Sequence, residues 1–231
     1  MNVTSELPTV LLVQGAWHHP DAWLLLRGEL FLRGLRTAVT NLPSAGAAPT
    51  GSMHDDAAAI AAALAEIEGP TVVLAHSYGG VPATQATAAA SGVSRLIYLS
   101  AYVPDENDSV FTLHGQPDPD DVSGLFPRID SPRHSLYADL SDEQAAAAES
   151  RLIDQSMRSF VDRVTAVGWK DVPASYIVSD QDRAIPPAMQ TEMARTAGAD
   201  VLHLDSSHSA FLSKPAELAE LTVRVAAASH R

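Results

Sequence analysis

The chain has 231 residues, of which 46% are hydrophobic, and its formal net charge is −13 at pH 7. This length fits one α/β domain with a substantial core, and no uncharged apolar run approaches the roughly 20 residues of a membrane span. The acidic balance argues against nucleic acid and against an anionic membrane surface as partners, because both are bound through clustered Lys and Arg.

Apolar strands alternate with helices along the first hundred residues. Strands are predicted at 8–14, 36–41, 94–101 and from Thr71 into the turn at Ser77, and helices at 20–33, 53–68 and 81–86. A long loop of small residues, 43–52, separates the second strand from the second helix. Strands that alternate with helices require parallel crossovers, so the pattern predicts a three-layer α/β/α sandwich with a mostly parallel sheet.

The alternation stops between residues 105 and 170, where no buried-strand run occurs. This segment begins with a polar, proline-rich loop at 116–121 and contains a helix that starts at Ser141 with Gln144 as its capping partner. We predict a helical cap inserted over the strand ends, with a core formed by 1–104 and 171–231. Some of its apolar side chains are expected to line a ligand site, and the candidates are Phe111, Leu113, Leu125, Phe126, Leu136, Tyr137, Met157 and Phe160.

The core pattern returns after the cap. Strands are predicted at 174–179 and 200–204, a helix at 188–197, and a final helix at 215–228. Polar loops follow both strands, and they carry Asp180, Asp182 and His208. The carboxyl ends of parallel strands share one edge of the sheet, so these side chains are expected to meet near Ser77.

Ser77 lies in the sequence Ala75-His76-Ser77-Tyr78-Gly79, between an apolar strand and a helix. A serine at such a strained turn needs small neighbours, because backbone atoms approach closely there. The motif resembles the G-x-S-x-G nucleophile elbow of the α/β-hydrolases, with alanine in place of the first glycine. A serine in an ordinary strand-to-helix turn is the alternative interpretation.

A serine hydroxyl is a poor nucleophile without a base, and the base needs an acid to orient it. His208 is the candidate base, since it follows the last strand and precedes the final helix. His76 is adjacent to Ser77, but we interpret it as a packed polar residue whose side chain points away from the turn. Spacing alone leaves Asp180 and Asp182 open as the acid.

The two loops resemble those of one branch of the α/β-hydrolases, which contains plant methylesterases and hydroxynitrile lyases. The resemblance rests on residues 179–187 (SDQDRAIPP) and on 208–215 (HSAFLSKP), and it covers nearly the whole chain but is weakest in the cap. It implies that Asp182 is the acid, with Asp180 in reserve.

Acyl transfer also needs two backbone N–H groups for the developing oxyanion. One is expected from Tyr78, the residue after the nucleophile, and the resemblance places the other at Ala16. Gly15, Trp17 and His18 would then line the substrate pocket, although core packing explains Trp17 equally well. The branch usually has His-Gly where this chain has Gln14-Gly15.

Two positions favour hydrolysis over cyanohydrin cleavage. The lyases of this branch carry threonine where this chain has Gly15, and lysine where it has Ser209. A serine at the elbow also excludes the haloalkane dehalogenase and epoxide hydrolase mechanisms, which need a carboxylate nucleophile. The sequence therefore predicts a serine esterase for small apolar or aromatic esters.

Two other functions stay open: lyase or cyclase chemistry without a cofactor on the same triad, and a small-ligand receptor without catalysis.

The esterase mechanism implies no metal and no organic cofactor. The absence of cysteine excludes disulfides and thiolate metal sites. Residues 1–6 lack the basic start and apolar stretch of a signal peptide. The absence of cysteine fits a cytoplasmic protein, which is the location we predict. A homodimer is left open.

Overall fold

The computed structural model describes residues 7–228. Residues 1–6, in which no signal peptide is predicted, and residues 229–231 lie outside this range. Nine strands are present in the described range: β1 Thr9–Val13, β2 Thr37–Val39, β3 Ala45–Gly46, β4 Thr71–His76, β5 Val93–Leu99, β6 Leu125–Phe126, β7 Asp154–Ser156, β8 Ala174–Ser179 and β9 Asp200–Leu204.

The six predicted helices lie within a few residues of their predicted positions, and four short helices of four residues each within residues 7–228 were not predicted. In chain order the helices are α1 Leu24–Leu32, α2 Met53–Ala65, α3 Gly80–Thr87, α4 Val110–Leu113, α5 Pro132–Ser135, α6 Asp142–Glu149, α7 Arg158–Val161, α8 Pro187–Thr196, α9 Ala210–Ser213 and α10 Pro215–Ala228, with 3-10 turns at Pro20–Trp23, Ser77–Gly79 and Gly168–Lys170. The start predicted at Ser141 is confirmed, because its hydroxyl accepts from Gln144 N and the Gln144 side chain caps in return.

Six strands form one sheet in the order β2-β1-β4-β5-β8-β9, and every pairing in it is parallel. Successive side chains of a strand point to opposite faces. Accordingly, Val10 and Leu12 pack with α1 and α10, whereas Leu11 and Val13 pack with α2, α3 and α8. The predicted three-layer sandwich is confirmed.

The strand order places the loops that follow β1 and β4 side by side near the middle of the sheet. The chain proceeds outward from β1 to β2 and then, on the other side of β1, from β4 towards β9. Sites in such sheets form in the crevice beyond the carboxyl ends of the strands where the order reverses. Here that crevice lies beyond β1 and β4, which end at Val13 and His76.

The cap segment, residues 105–170, lies against residues that follow the core strands. Tyr137 Oη is 2.9 Å from His18 Nε2, beyond β1. Asp139 accepts from Ser207 N at 2.9 Å, beyond β9. The division of the chain into this cap and a core stays a prediction.

The cap differs from the predicted helical insertion in one respect. Strands β6 and β7 pair antiparallel with each other, and β7 also pairs with β3 from the predicted loop 43–52. These strands have only two or three residues and pair with segments far away in sequence. They therefore leave no alternating pattern from which a sheet could be predicted.

Candidate active site

Ser77 occupies the turn between β4 and α3 with φ at +52°, in the left-handed region that non-glycine residues rarely adopt. It is the only residue of 71–80 that is partly exposed, since all the others are buried. A β-carbon at Gly79 would lie 2.5 Å from the Gln14 carbonyl oxygen, and one at Gly80 would lie 2.2 Å from the Tyr102 carbonyl oxygen. The two glycines thus permit the close approach that the elbow needs.

Gly15 brings the loop after β1 next to the elbow. A β-carbon at Gly15 would lie 2.9 Å from Ser77 Cβ and 2.8 Å from His76 Nδ1. The N–H of Ala16 makes no hydrogen bond within residues 7–228. The Tyr78 N–H lies in the first turn after the strand, where helical N–H groups have no intrahelical acceptor.

His208 and Asp182 form a buried pair, with exposed fractions of 2% and 6%. His208 Nδ1 is 2.8 Å from Asp182 Oδ2. Because a carboxylate only accepts, Nδ1 carries the proton and the other ring nitrogen is left as a base. Asp182 also accepts from the backbone N–H groups of Ala184 and Ile185, at 2.7 and 3.0 Å.

Asp180, the reserve candidate for the acid, pairs with a different histidine. Its carboxylate is 2.7 Å from Nδ1 of His203, and that imidazole is 60% exposed. The structure thus brings Asp182, and not Asp180, to His208.

His76 has a role that its position in the sequence did not indicate. Its Nε2 donates to the His208 carbonyl oxygen at 3.0 Å, and the two imidazole rings lie 4.6 Å apart. The structure thereby places His208 beside the residue that precedes Ser77. Within the described residues, however, the Ser77 hydroxyl is not hydrogen-bonded to His208. Such contacts are often long before a substrate is bound.

His18 is buried next to this pair and has two partners. Its Nδ1 donates to the Ala16 carbonyl oxygen at 2.8 Å, so Nε2 accepts from Tyr137 Oη. Burial is the largest cause that lowers the pKa of His18 to about 4, and the nearby His208 lowers it further. Burial also holds the pKa of His76 well below its ordinary value. Both imidazoles are therefore neutral at pH 7.

This burial predicts a loss of stability in acid, to which His18 makes a separable contribution. Between its ordinary pKa of 6.5 and its folded pKa of about 4, the unfolded chain binds the proton and the folded chain does not, so stability falls as the pH is lowered. The His18→Gln variant lacks this site and should lose about 2 kcal/mol less of its free energy of unfolding than the parent between pH 7.5 and 5. Urea titrations at both pH values measure the difference.

His19 provides the matched control for this experiment, because it is the neighbouring imidazole and is exposed. The difference from the parent should be larger in His18→Gln than in His19→Gln. An equal change in both variants would contradict the assignment to His18.

Trp17 belongs to an aromatic cluster that joins the loop after β1 to the cap. Its ring centroid lies 5.9 Å from Phe126 and 6.0 Å from Phe160, and these two phenyl rings stack at 3.7 Å. Trp17 is 8% exposed, and its indole N–H has no partner among the described residues. The indole therefore packs against the cap, with its N–H buried and without a hydrogen-bond partner in the described residues.

His18 also lines two cavities, of about 860 and 290 Å³. The larger one lies between α1 and α6, and apolar side chains such as Leu24, Leu25 and Leu140 supply much of its wall. In the described part of the chain, the residues that line these two cavities do not include Ser77, Asp182 or His208.

Within residues 7–228, no helix combines the length and apolar character that crossing a membrane requires. No cluster of three or more His, Asp or Glu side chains in this range has the arrangement of a metal site.

Known proteins resemble the chain over most of its length. Probable hydrolase R7 of Phoma sp. is 28% identical over 240 residues, which cover 95% of this chain and 98% of that protein. Putative methylesterase 19 of Arabidopsis thaliana is 28% identical over 185 residues, which cover 67% and 70%. The crystal structure of a pyrethroid hydrolase from Sphingobium faniae has the same fold, with a TM-score of 0.80 and 23% identity over 96% of this chain and 98% of that one.

The family model described as "Alpha/beta hydrolase family" matches residues 10–221. The match includes the elbow, the acid loop and the histidine loop. The resemblance noted in the sequence is thus confirmed at the level of the family, and the chain belongs to the alpha/beta hydrolases.

Proposed function

We propose that the protein is a serine hydrolase that cleaves small carboxylic esters through an acyl-enzyme. The observation that carries this proposal is the buried pair of His208 and Asp182, joined at 2.8 Å and held beside the elbow through His76. Relatives named as a hydrolase and a methylesterase support ester hydrolysis.

In this mechanism Ser77 attacks the acyl carbon while His208 takes the proton of the hydroxyl. Asp182 keeps the proton of His208 on Nδ1 and stabilises the imidazolium that forms. His208 then protonates the leaving alcohol. Water attacks the acyl-enzyme with His208 as the base, which releases the acid and restores Ser77.

The backbone N–H groups of Ala16 and Tyr78 are proposed to bind the oxyanion in both steps. Two features support this role: the Ala16 N–H has no other partner among the described residues, and Gly15 seats its loop directly against Ser77. Donors of this kind stabilise the transition state by several kcal/mol, because they are oriented before the charge develops.

An apolar or aromatic group in the substrate fits the surroundings of Ser77. Phe126 and Phe160 of the cap form the aromatic cluster with Trp17, and the Phe160 ring also stacks at 5.3 Å on Tyr78, the residue after Ser77. We also propose a cytoplasmic location, and the homodimer stays a prediction.

The experiment that tests the function combines a substrate panel with covalent labelling. We expect turnover of p-nitrophenyl esters, and we expect a fluorophosphonate to label Ser77 in the peptide map. Release of cyanide from cyanohydrins without ester turnover would instead establish a lyase. Ligand binding with neither turnover nor labelling would establish a receptor.

A further inference from the structure

A buried hydrogen-bond network connects the two loops that carry the proposed oxyanion donors. It begins at the N–H of Trp17, which donates to Gln155 Oε1 at 3.3 Å. Gln155 belongs to β7 in the cap, and its Nε2 donates to Ser44 Oγ at 2.6 Å and to Ser159 Oγ at 2.9 Å. The single amide therefore uses its acceptor and both of its donors.

The network continues from Ser44 to the elbow. The Ser44 hydroxyl donates to Asp56 Oδ2, and the Ser44 N–H donates to Asp56 Oδ1 at 2.9 Å. The Tyr78 hydroxyl donates to Asp56 Oδ2 at 2.6 Å. Tyr78 is the residue whose N–H is the second proposed oxyanion donor.

The ionisation states of Asp56 and Tyr78 fix the direction of the hydrogen bonds to the Asp56 carboxylate. Burial raises the pKa of Asp56 to about 6, and the hydrogen bonds from Ser44 and Tyr78 oppose that rise. Burial and the adjacent Asp56 hold the pKa of Tyr78 well above its ordinary value. At neutral pH the carboxylate is thus an acceptor and the phenol a donor.

The members are inaccessible to solvent: Ser44, Asp56, Tyr78 and Gln155 each have an exposed fraction of 0%. Buried polar groups whose hydrogen bonds are all made hold a single geometry, since any rearrangement leaves a group without a partner. The network is therefore a rigid connection.

At one end the network fixes a peptide plane. The Ala16 carbonyl oxygen accepts from His18, and the Trp17 N–H of the same peptide donates to Gln155. Trp17 also has φ at +61°, and its carbonyl oxygen accepts from Ile153 N at 2.8 Å. These contacts hold a left-handed residue in place directly after the Ala16 donor.

We propose that the Gln155–Ser44–Asp56 network positions the two oxyanion donors relative to each other, which makes Gln155 a positioning residue contributed by the cap. This inference rests on the proposed function. Without the network, no chain of hydrogen bonds would connect the Ala16 loop to Tyr78, and the distance between the two N–H donors would no longer be fixed.

Three variants test the role. Gln155→Leu removes the amide from the network, and Tyr78→Phe removes one hydroxyl while it keeps the backbone donor. Tyr98→Phe is the matched control, because Tyr98 is equally buried and its hydroxyl pairs with Thr84 at 2.7 Å, outside the network. For each variant, kcat and KM on a p-nitrophenyl ester are measured per site titrated by fluorophosphonate, together with the Tm.

We expect kcat to fall about 100-fold in Gln155→Leu and about 10-fold in Tyr78→Phe, with KM within about twofold of the parent. The affinity for a trifluoromethyl ketone, whose adduct with serine carries an oxyanion, should fall by the same factors. Tyr98→Phe should lower only the Tm.

Two results would overturn the positioning role while the function stands: unchanged kcat per titrated site in both network variants, or an equal loss in Tyr98→Phe. A parent protein without ester turnover or labelling at Ser77 would overturn the proposed function and this inference with it.

Discussion

Replacing Ser77 with alanine should lower kcat for ester hydrolysis on the order of 10⁵-fold, because the acyl-enzyme cannot form without the hydroxyl. The fold should be unaffected. The hydroxyl makes no hydrogen bond to His208 among the described residues, and alanine has a side chain as small as serine at the strained φ of +52°. Initial rates with p-nitrophenyl esters and the Tm measure the two effects.

Ser209→Ala is the matched control for this variant. Ser209 lies next to His208, and its buried hydroxyl has no hydrogen-bond partner in residues 7–228. Its removal should leave kcat within about twofold of the parent. Ester turnover retained in Ser77→Ala would contradict the nucleophile assignment.

The second large effect should separate the two aspartates. Asp182→Asn should lower kcat about 10⁴-fold, because an amide that donates to His208 reverses the tautomer that the base requires. Its amide would also face the Gln190 Nε2 donor, which now lies 2.9 Å from Asp182 Oδ2, so some loss of stability is expected as well. The kinetic loss is therefore measured per folded molecule, with the folded fraction at the assay temperature taken from thermal unfolding.

Asp180→Asn is the comparison, since Asp180 pairs with the exposed His203 and lies outside the buried site. Its kcat should stay within about twofold of the parent. A larger loss at Asp180 than at Asp182 would transfer the role of the acid to Asp180.

Local sequence patterns were sufficient for most of the core. The structure has β8 at Ala174–Ser179, β9 at Asp200–Leu204 and α10 at Pro215–Ala228, each with the predicted bounds. These elements have a continuous apolar run, a turn signal at the end or a helical period, and all three signals are local.

The parts that could not be predicted depend on contacts between distant segments. Spacing left Asp180 and Asp182 equivalent, and only the course of the loop beyond β8 brings one of them to His208. Gln155 is an ordinary polar residue of the cap until β7 pairs with β3 and places it beside Ser44. His76 likewise gave no signal, because its acceptor is a backbone carbonyl in the histidine loop.

The crowding at Gly15 restricts how this scaffold can change its chemistry. Any β-carbon there would lie 2.8 Å from His76 Nδ1 and 2.9 Å from Ser77 Cβ, so the threonine of the related lyases has no room. His76 in turn supports the backbone of His208. A substitution at position 15 must therefore displace both His76 and Ser77, so its effect depends on the residue at position 76.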